Sequence, residues 1–585
     1  GFWCFGDVQV PLADDSAPQD DLRALHDRQH WRLVQSDMER DSITHRRFFN
    51  VTSLIGMRVE DPAVFDDTHA LILDLVRAGL VHGLRVDHVD GLADPAAYLD
   101  RLHKAVPDTP IWVEKILVRD EAMPPGWPVL GSTGYEAARL IARLLTDPQG
   151  IERLDALWRE ATGIQTGFRE ELTQAKLAVL DNELAAERRQ LRDMAAAATE
   201  GSQDIEAGPE TLREAVTALL VAMPRYRSYV TDRARDEDRA LLARLADDAA
   251  QGLRSRATVD LLAGLMADPP TDAARRFVVR FQQVSGALLA KAQEDTAGFR
   301  WTRYLAANEV GAEPDEPCVA EAEANAFLAA RQPGAMTLVS THDTKRSADS
   351  RMRIAAISHL PEAFAYLDRA AAALPQAEGV EPRWRWYVVQ SALAIWHDDP
   401  AIRDRLASHI EKAMREAKLT SFWTNPDEAA EAAVKALADA VLDQWREPPP
   451  ALTALLGRGR ALGLAQLAFQ MLMPGFPDIY RGDEAELLSL TDPDNRLAVD
   501  WHVLAWEPAP GSKAEWTRAL LALRRESADF LARATARIEV ADGTLRLIRE
   551  GGGQRIVVEL RPGPAPADAW KAGEFDGVSV AVIRH

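Results

Sequence analysis

The sequence predicts an α/β fold of parallel type that carries large helical insertions and a small C-terminal antiparallel β domain. Short apolar runs that end in a charge recur at residues 83–87, 111–114 and 336–343. A buried parallel strand that finishes this way sets its charge at the mouth of an α/β fold. Between these runs lie long stretches rich in Ala, Leu, Glu and Arg, where Leu177, Leu180, Leu184 and Leu191 keep a helical stripe. From about residue 535 onward, short alternating runs are separated by Gly and Pro, the pattern of antiparallel hairpins.

Taken in order, residues 20–60 are polar and aromatic without clear periodicity, Thr44-His45-Arg46-Arg47-Phe48-Phe49 among them, and predict an irregular loop. Residues 61–82 predict a helix: Asp61-Pro62 begins it, apolar positions recur at Leu71, Leu75 and Val76, and Gly79 ends it. A strand at 83–86, a helix at 95–105 opened by Asp94-Pro95, and a strand at 111–113 follow, a strand–helix–strand rhythm. Strand signals then nearly vanish until 336–341, return near Phe476-Pro477-Asp478-Ile479-Tyr480, and are parted by a helical block at 361–446 that ends in Glu447-Pro448-Pro449-Pro450. In the tail, Arg537–Val540, Thr544–Arg549, Arg555–Leu560 and Val578–Ile583 predict strands. The expected divisions are 1–60 (loop region), 61–145, 336–360 and 447–530 (parallel α/β body), 146–335 and 361–446 (helical insertions) and 531–585 (β domain).

With 585 residues, several structural units and a large core are expected. The formal charge of −22, from 90 acidic and 68 basic residues, argues against a nucleic-acid partner or an anionic membrane surface. Cys4 and Cys318 are the only cysteines, too few for a disulfide framework, and they suit a reducing compartment. No apolar run of about 20 residues is present and the start lacks a secretory pattern, so a cytoplasmic location is expected.

Asp87 and Glu114 close strands separated by one crossover helix, and right-handed βαβ units usually place such strands side by side. A retaining glycosidase needs one carboxylate as nucleophile and one carboxylic acid as proton donor, roughly 5–5.5 Å apart. Arg85, two residues before Asp87, points to the same face and would keep Asp87 ionised; Glu114 would need a raised pKa to act as acid. Solvated loops explain strand-end acids equally well for Asp87 alone. A metal reading of Asp87, His88, Asp90, His342 and Asp343 fails because adjacent residues on an extended backbone point opposite ways. The segment Ser132-Thr133-Gly134-Tyr135 lacks the glycine spacing and lysine of a phosphate loop. Neither a metal nor a cofactor is expected.

Gly-Leu-Arg-Val-Asp-His-Val-Asp-Gly-Leu at 83–92, Val-Glu-Lys-Ile-Leu at 113–117 and Ser-Thr-His-Asp-Thr-Lys-Arg at 340–346 resemble the second to fourth signature regions of the α-amylase superfamily. The resemblance implies Asp87 as nucleophile, Glu114 as general acid/base and Asp343 as the third acid, with Arg85 and His342 beside them. Amylases generally carry Lys-His three and four residues after the nucleophile; Asp90 and Gly91 stand there in this chain. That difference is similar to the maltooligosyltrehalose synthase branch, as are Tyr-Arg-Ser-Tyr-Val at 226–230, Asn-Glu-Val-Gly at 308–311, Thr-Ser-Phe-Trp-Thr-Asn-Pro-Asp-Glu at 420–428, Met-Pro-Gly-Phe-Pro-Asp-Ile-Tyr at 473–480 and Asp-Pro-Asp-Asn-Arg at 492–496. In the stretch after Tyr480, Arg481 stands where the resemblance implies Gln. The implied fold is a partial (β/α)8 barrel, strands four to eight.

The first signature region, an Asp…Asn-His motif after the third barrel strand, is not found in residues 1–82. The expectation is therefore the C-terminal part of a longer enzyme, completed by an N-terminal fragment as a separate chain. The implied reaction is an intramolecular transglucosylation: the α-1,4 bond at the reducing end of a maltooligosaccharide is cleaved by Asp87 and Glu114, and the released glucose attacks through its own anomeric hydroxyl to leave an α,α-1,1 link. Excluding water needs a closed pocket. Trp127 and Tyr135 are candidates for its wall, with packing as the equal alternative. Lys115, Lys345 and Arg346 are candidate sugar ligands, with salt bridges as the equal alternative; Asp90 and His88 complete the set. The rival readings are an α-amylase-type or trehalose-releasing hydrolase and a non-catalytic glucan-binding remnant.

Overall fold

The computed structural model describes residues 1–585 except 7, 14–15, 17–20, 36–37, 201–206 and 506. Within residues 20–60, expected to be irregular, it forms the short helices Leu22–Asp27 and Glu39–Ser42 and a hairpin of Arg47–Phe48 with Val51–Ile55. The helix predicted for 61–82 spans Pro62–Arg77. Asp61 caps it by accepting from the Ala63 amide, and it stops before Gly79, whose φ is +69°. Asp94 likewise caps Pro95–Ala105 by accepting from the Ala97 amide.

Three parallel strands lie in the order Leu84–Val86, Ile111–Val113, Gly131–Ser132, with Val86 opposite Val113 and Val113 opposite Ser132. A second parallel pair joins Met336–Thr337 to Phe476–Pro477, so the strand expected over 336–341 is regular for two residues only. The two sheets meet closely. Trp112 donates its indole N–H to the Gly334 carbonyl at 2.7 Å, and the indole lies 6.0 Å from the Phe476 ring. At Gly134, φ is +105° and a Cβ would lie 2.1 Å from the Met336 carbonyl oxygen, so any side chain there would separate the sheets.

Between residues 146 and 335 every described element is helical. These helices do not form an isolated core: one hydrophobic cluster runs from Ala137 through Trp158, Phe277 and Trp386 to Val582. The 23-residue helix Pro450–Leu472 is its axis and packs on Ala348–His359, on Lys513–Glu526 and on the C-terminal sheet. That sheet has five antiparallel strands in the order Thr535–Ala541, Thr544–Gly551, Gln554–Pro562, Val578–Arg584, Lys571–Phe575; the last was not foreseen from sequence. Buried Arg549 fastens it to the body by donating to the carbonyls of Leu472, Leu531 and Ala534. No helix among the described residues is long and apolar enough to cross a membrane.

Candidate active site

The parallel strands deliver their terminal carboxylates to one place. The Glu114 amide donates to the Val86 carbonyl at 2.7 Å, continuing the ladder one residue past the strands, and the His88 amide donates to Glu114 Oε2 at 2.8 Å. Asp87 thus stands between two points fixed to the Glu114 segment. Arg85 reaches over the same face, and its Nη1 donates to Asp87 Oδ1 at 2.6 Å. The two acids sit in unlike surroundings. Asp87 is half-exposed beside a guanidinium. Burial, with the Asp87 charge second, pushes Glu114 up to about 8, so it is protonated at neutral pH.

Asp343 approaches from the segment after Met336–Thr337. Its amide donates to Thr341 Oγ1 at 3.1 Å, and its carboxylate faces His342 Nε2 at 3.2 Å and Arg496 at 3.7 Å. Asn495 donates to the His342 carbonyl at 2.9 Å, so the 492–496 segment buttresses this turn. Tyr135, 2% exposed, lies behind it with its hydroxyl 2.9 Å from Thr341 Oγ1. Its ring packs with Ile116, Tyr226 and Leu338.

A cleft of about 530 Å³ opens beside Asp87, lined by His88, Gly91, Phe48, Phe49, Arg280 and Gln283 among others. His88 has φ +48°, and its ring lies 5.0 and 4.8 Å from those of Phe48 and Phe49. Burial lowers its pKa and favours the neutral imidazole. A Cβ at position 91 would fall 2.4 Å from His88 Cδ2. Gly91 is therefore what lets the histidine ring lie where it does.

Asp90, Lys115 and Arg346 point away from this cleft. Lys115 is sealed from solvent between Glu121 at 2.8 Å and Asp90 at 3.4 Å. Burial opposes charge on Asp90, but Lys115, Arg227 and the Tyr229 hydroxyl outweigh it and keep its pKa low. Arg346 is buried against the Asn308 carbonyl and Glu309. Trp127 is 9% exposed and edge-on to Tyr229 at 5.3 Å, a packing contact. Lys345 bonds Asp295 through its ammonium, and its amide donates to Glu309 at 2.7 Å.

Several residues at the site drew no role from sequence. Tyr226, Tyr229, Asn495 and Arg496 lay inside segments quoted for resemblance alone, and Glu294 and Asp295 lay in a stretch read only as helix. Asp478, whose pKa burial raises against the pull of Arg85, was seen only as part of a strand. The signal that could have found Phe48 and Phe49 was an aromatic pair in an otherwise polar loop.

No family model matches the chain. A relative from Mycobacterium tuberculosis named maltooligosyl trehalose synthase is 37% identical over 537 residues, which cover 89% of this chain and 67% of the relative. The solved maltooligosyltrehalose synthase of Arthrobacter ramosus superposes over 100% of this chain and 81% of its own, with a TM-score of 0.83 and 31% identity. A Sulfolobus tokodaii structure described as a hypothetical maltooligosyl trehalose synthase gives a TM-score of 0.83 over 100% of this chain and 80% of its own; at 24% identity it speaks for the fold. By sequence and by fold, the chain belongs to the maltooligosyl trehalose synthase family.

Proposed function

We propose that the protein is an isomerase that converts the reducing-end α-1,4 linkage of a maltooligosaccharide into an α,α-1,1 linkage. Family membership sets the reaction; the observation that carries the mechanism is the unlike pair Asp87 and Glu114. Asp87, bonded to Arg85, is poised as the anionic nucleophile, and Glu114, held protonated, donates to the departing glucose. Cleavage leaves the shortened maltooligosyl chain as an ester on Asp87 and an ionised Glu114. The ionised carboxylate then takes the proton of the glucose anomeric hydroxyl as that oxygen attacks, which restores both acids. Asp343, set by Thr341, His342 and Arg496, is the third acid that grips sugar hydroxyls.

The parallel strands from Leu84–Val86 to Phe476–Pro477 are strands four to eight of one barrel, supported by the Trp112 and Gly134 contacts that bring the two sheets together. The divisions at 1–60, 146–335, 361–446 and 531–585 are its attached regions. A second chain covering the outer edge of Leu84–Val86 is in keeping with the place of that strand at the end of its sheet order. The two thiols Cys4 and Cys318 suit a cytoplasmic setting.

Incubation with maltopentaose tests the function. Loss of reducing ends without shorter sugars is expected; glucose and shorter oligosaccharides as main products would establish a hydrolase instead. Turnover by the chain alone would remove the second chain from the reading.

A further inference from the structure

The mechanism proposed above needs Asp87 and Glu114 at a fixed separation, and the inference that follows rests on that reading. The parallel ladder that aligns their strands ends with Val86 opposite Val113. Beyond it, contacts at every second residue of the nucleophile segment tie that segment to the acid segment. The Val86 carbonyl accepts from the Glu114 amide at 2.7 Å, the His88 amide donates to Glu114 Oε2 at 2.8 Å, and Asp90 Oδ2 accepts from Lys115 Nζ at 3.4 Å. The last of these is an ion pair, and it closes a ring. The ring runs from His88 through Val89 to Asp90, across to Lys115, back to Glu114 and across again to the His88 amide. Asp87 is joined to it at His88, and Glu114 is part of it.

The ring is anchored on the side away from the cleft. Asp90 is 7% and Lys115 1% exposed, and neither lines the cleft beside Asp87. The Tyr229 hydroxyl donates to Asp90 Oδ1, and Arg227 donates to the carbonyls of Asp90 at 2.7 Å and Leu92 at 2.6 Å. Gln283 donates to the Gly91 carbonyl at 3.1 Å. Lys115 in turn donates to Glu121 at 2.8 Å and lies 5.2 Å from the centre of the Tyr229 ring. Burial opposes charge on both members, but their mutual attraction, with Arg227 beside Asp90 and Glu121 beside Lys115, outweighs it. Taking two charges out of water is a poor route to stability, since hydrocarbon of similar volume often serves as well. What such a pair adds is one fixed geometry, and here the fixed distance lies between the two catalytic segments.

We propose that Asp90 and Lys115 are positioning residues, whose buried ion pair fixes the separation and aim of Asp87 and Glu114 from beneath the cleft. Without the pair, the turn Val89–Gly91 and the segment after Ile111–Val113 move independently of each other. A displacement of about 1 Å at reacting groups costs on the order of 10²-fold in rate. The loss falls on kcat, because neither side chain meets the sugar.

The test follows consumption of maltopentaose, which reads cleavage whatever its products, with melting temperature recorded. Asp90→Asn keeps the shape and removes the charge; it should lower kcat roughly tenfold with KM within about twofold of wild type. Lys115→Met combined with Glu121→Gln removes one charge of each sign and leaves Asp90 its contacts with Arg227 and Tyr229; it should lower kcat by a similar factor. Glu121→Gln alone takes away the other partner of Lys115 but spares the pair, so kcat should stay within about twofold even where the melting temperature falls. Folded Asp90→Asn and Lys115→Met/Glu121→Gln variants with wild-type kcat overturn the proposal, as does a rise in KM at unchanged kcat, the mark of a substrate contact. A Glu121→Gln variant as slow as Asp90→Asn, or failure of both other variants to fold, assigns the network to stability alone and also overturns it. A wild-type protein that cleaves no maltopentaose overturns the reading of Asp87 and Glu114 themselves; where wild type cleaves, only the positioning role is at stake.

Discussion

In the C-terminal sheet, strands of five to nine residues pair in an unbroken antiparallel ladder, whereas the parallel strands at residues 84–132 are only two or three residues long. The first region is regular and its inward side chains, Leu547, Val558, Val580 and Val582, are fully or almost fully buried hydrocarbon. The second gives way to bonds between acidic side chains and free amides, such as His88 N–H to Glu114, and to the half-exposed Asp87. Regular pairing satisfies backbone groups and leaves nothing over for chemistry. The catalytic end is built by stopping the ladder early and filling its mouth with carboxylates whose stability comes from surrounding helices. Stability and turnover should therefore be separable by mutation.

The largest effect is expected for Asp87→Asn. Turnover should fall on the order of 10⁴-fold while oligosaccharide binding by calorimetry and the melting temperature stay near wild type; substantial residual turnover would refute the nucleophile assignment. Glu114→Gln should cost roughly 10²- to 10⁴-fold in the cleavage step. The pH profile gives its signature. Glu114 must be protonated to donate, its folded pKa is raised to about 8, and so wild-type activity is present below that pH and declines as pH rises through it. Residual activity of the Gln variant should lack this decline. Leu547→Ala tests the other region: loss of about 2–5 kcal/mol in denaturant unfolding with kcat near wild type. A matching loss of kcat would show that the sheet reaches into the site. The smallest effect is expected for Gly91→Ala, where displacement of the His88 ring should lower kcat/KM roughly tenfold at unchanged stability.

How far the sequence could be read follows the same division. Alternation between turn residues predicted four of the five C-terminal strands; Lys571–Phe575 was hidden because Gly573 breaks the apolar pattern of an edge strand. The strand-end acids were legible from their place after apolar runs, and the helix starts at Asp61 and Asp94 from their Asp-Pro pairs. Orientation was the weaker part. Lys115 follows Glu114 on extended backbone and must face the other way, towards Asp90 and Glu121, which periodicity alone could have told. The Glu294 and Tyr226 contact could not be foreseen, because 68 residues separate the partners and a π turn sets their meeting. Nor could the continuity of the helical core with the C-terminal sheet be read, since burial patterns do not say which apolar face meets which.

The bond from the His88 amide to Glu114 Oε2 carries a last consequence. A carboxyl oxygen that accepts from a peptide N–H is the poorer seat for a proton, so the acidic hydrogen of Glu114 resides on Oε1. Under the proposed mechanism proton delivery then has a side: the glycosidic oxygen would enter along the Oε1 edge, and the same edge would recover the proton from the attacking hydroxyl. The side of proton delivery would thereby be set by the main-chain amide at position 88, which proline would erase.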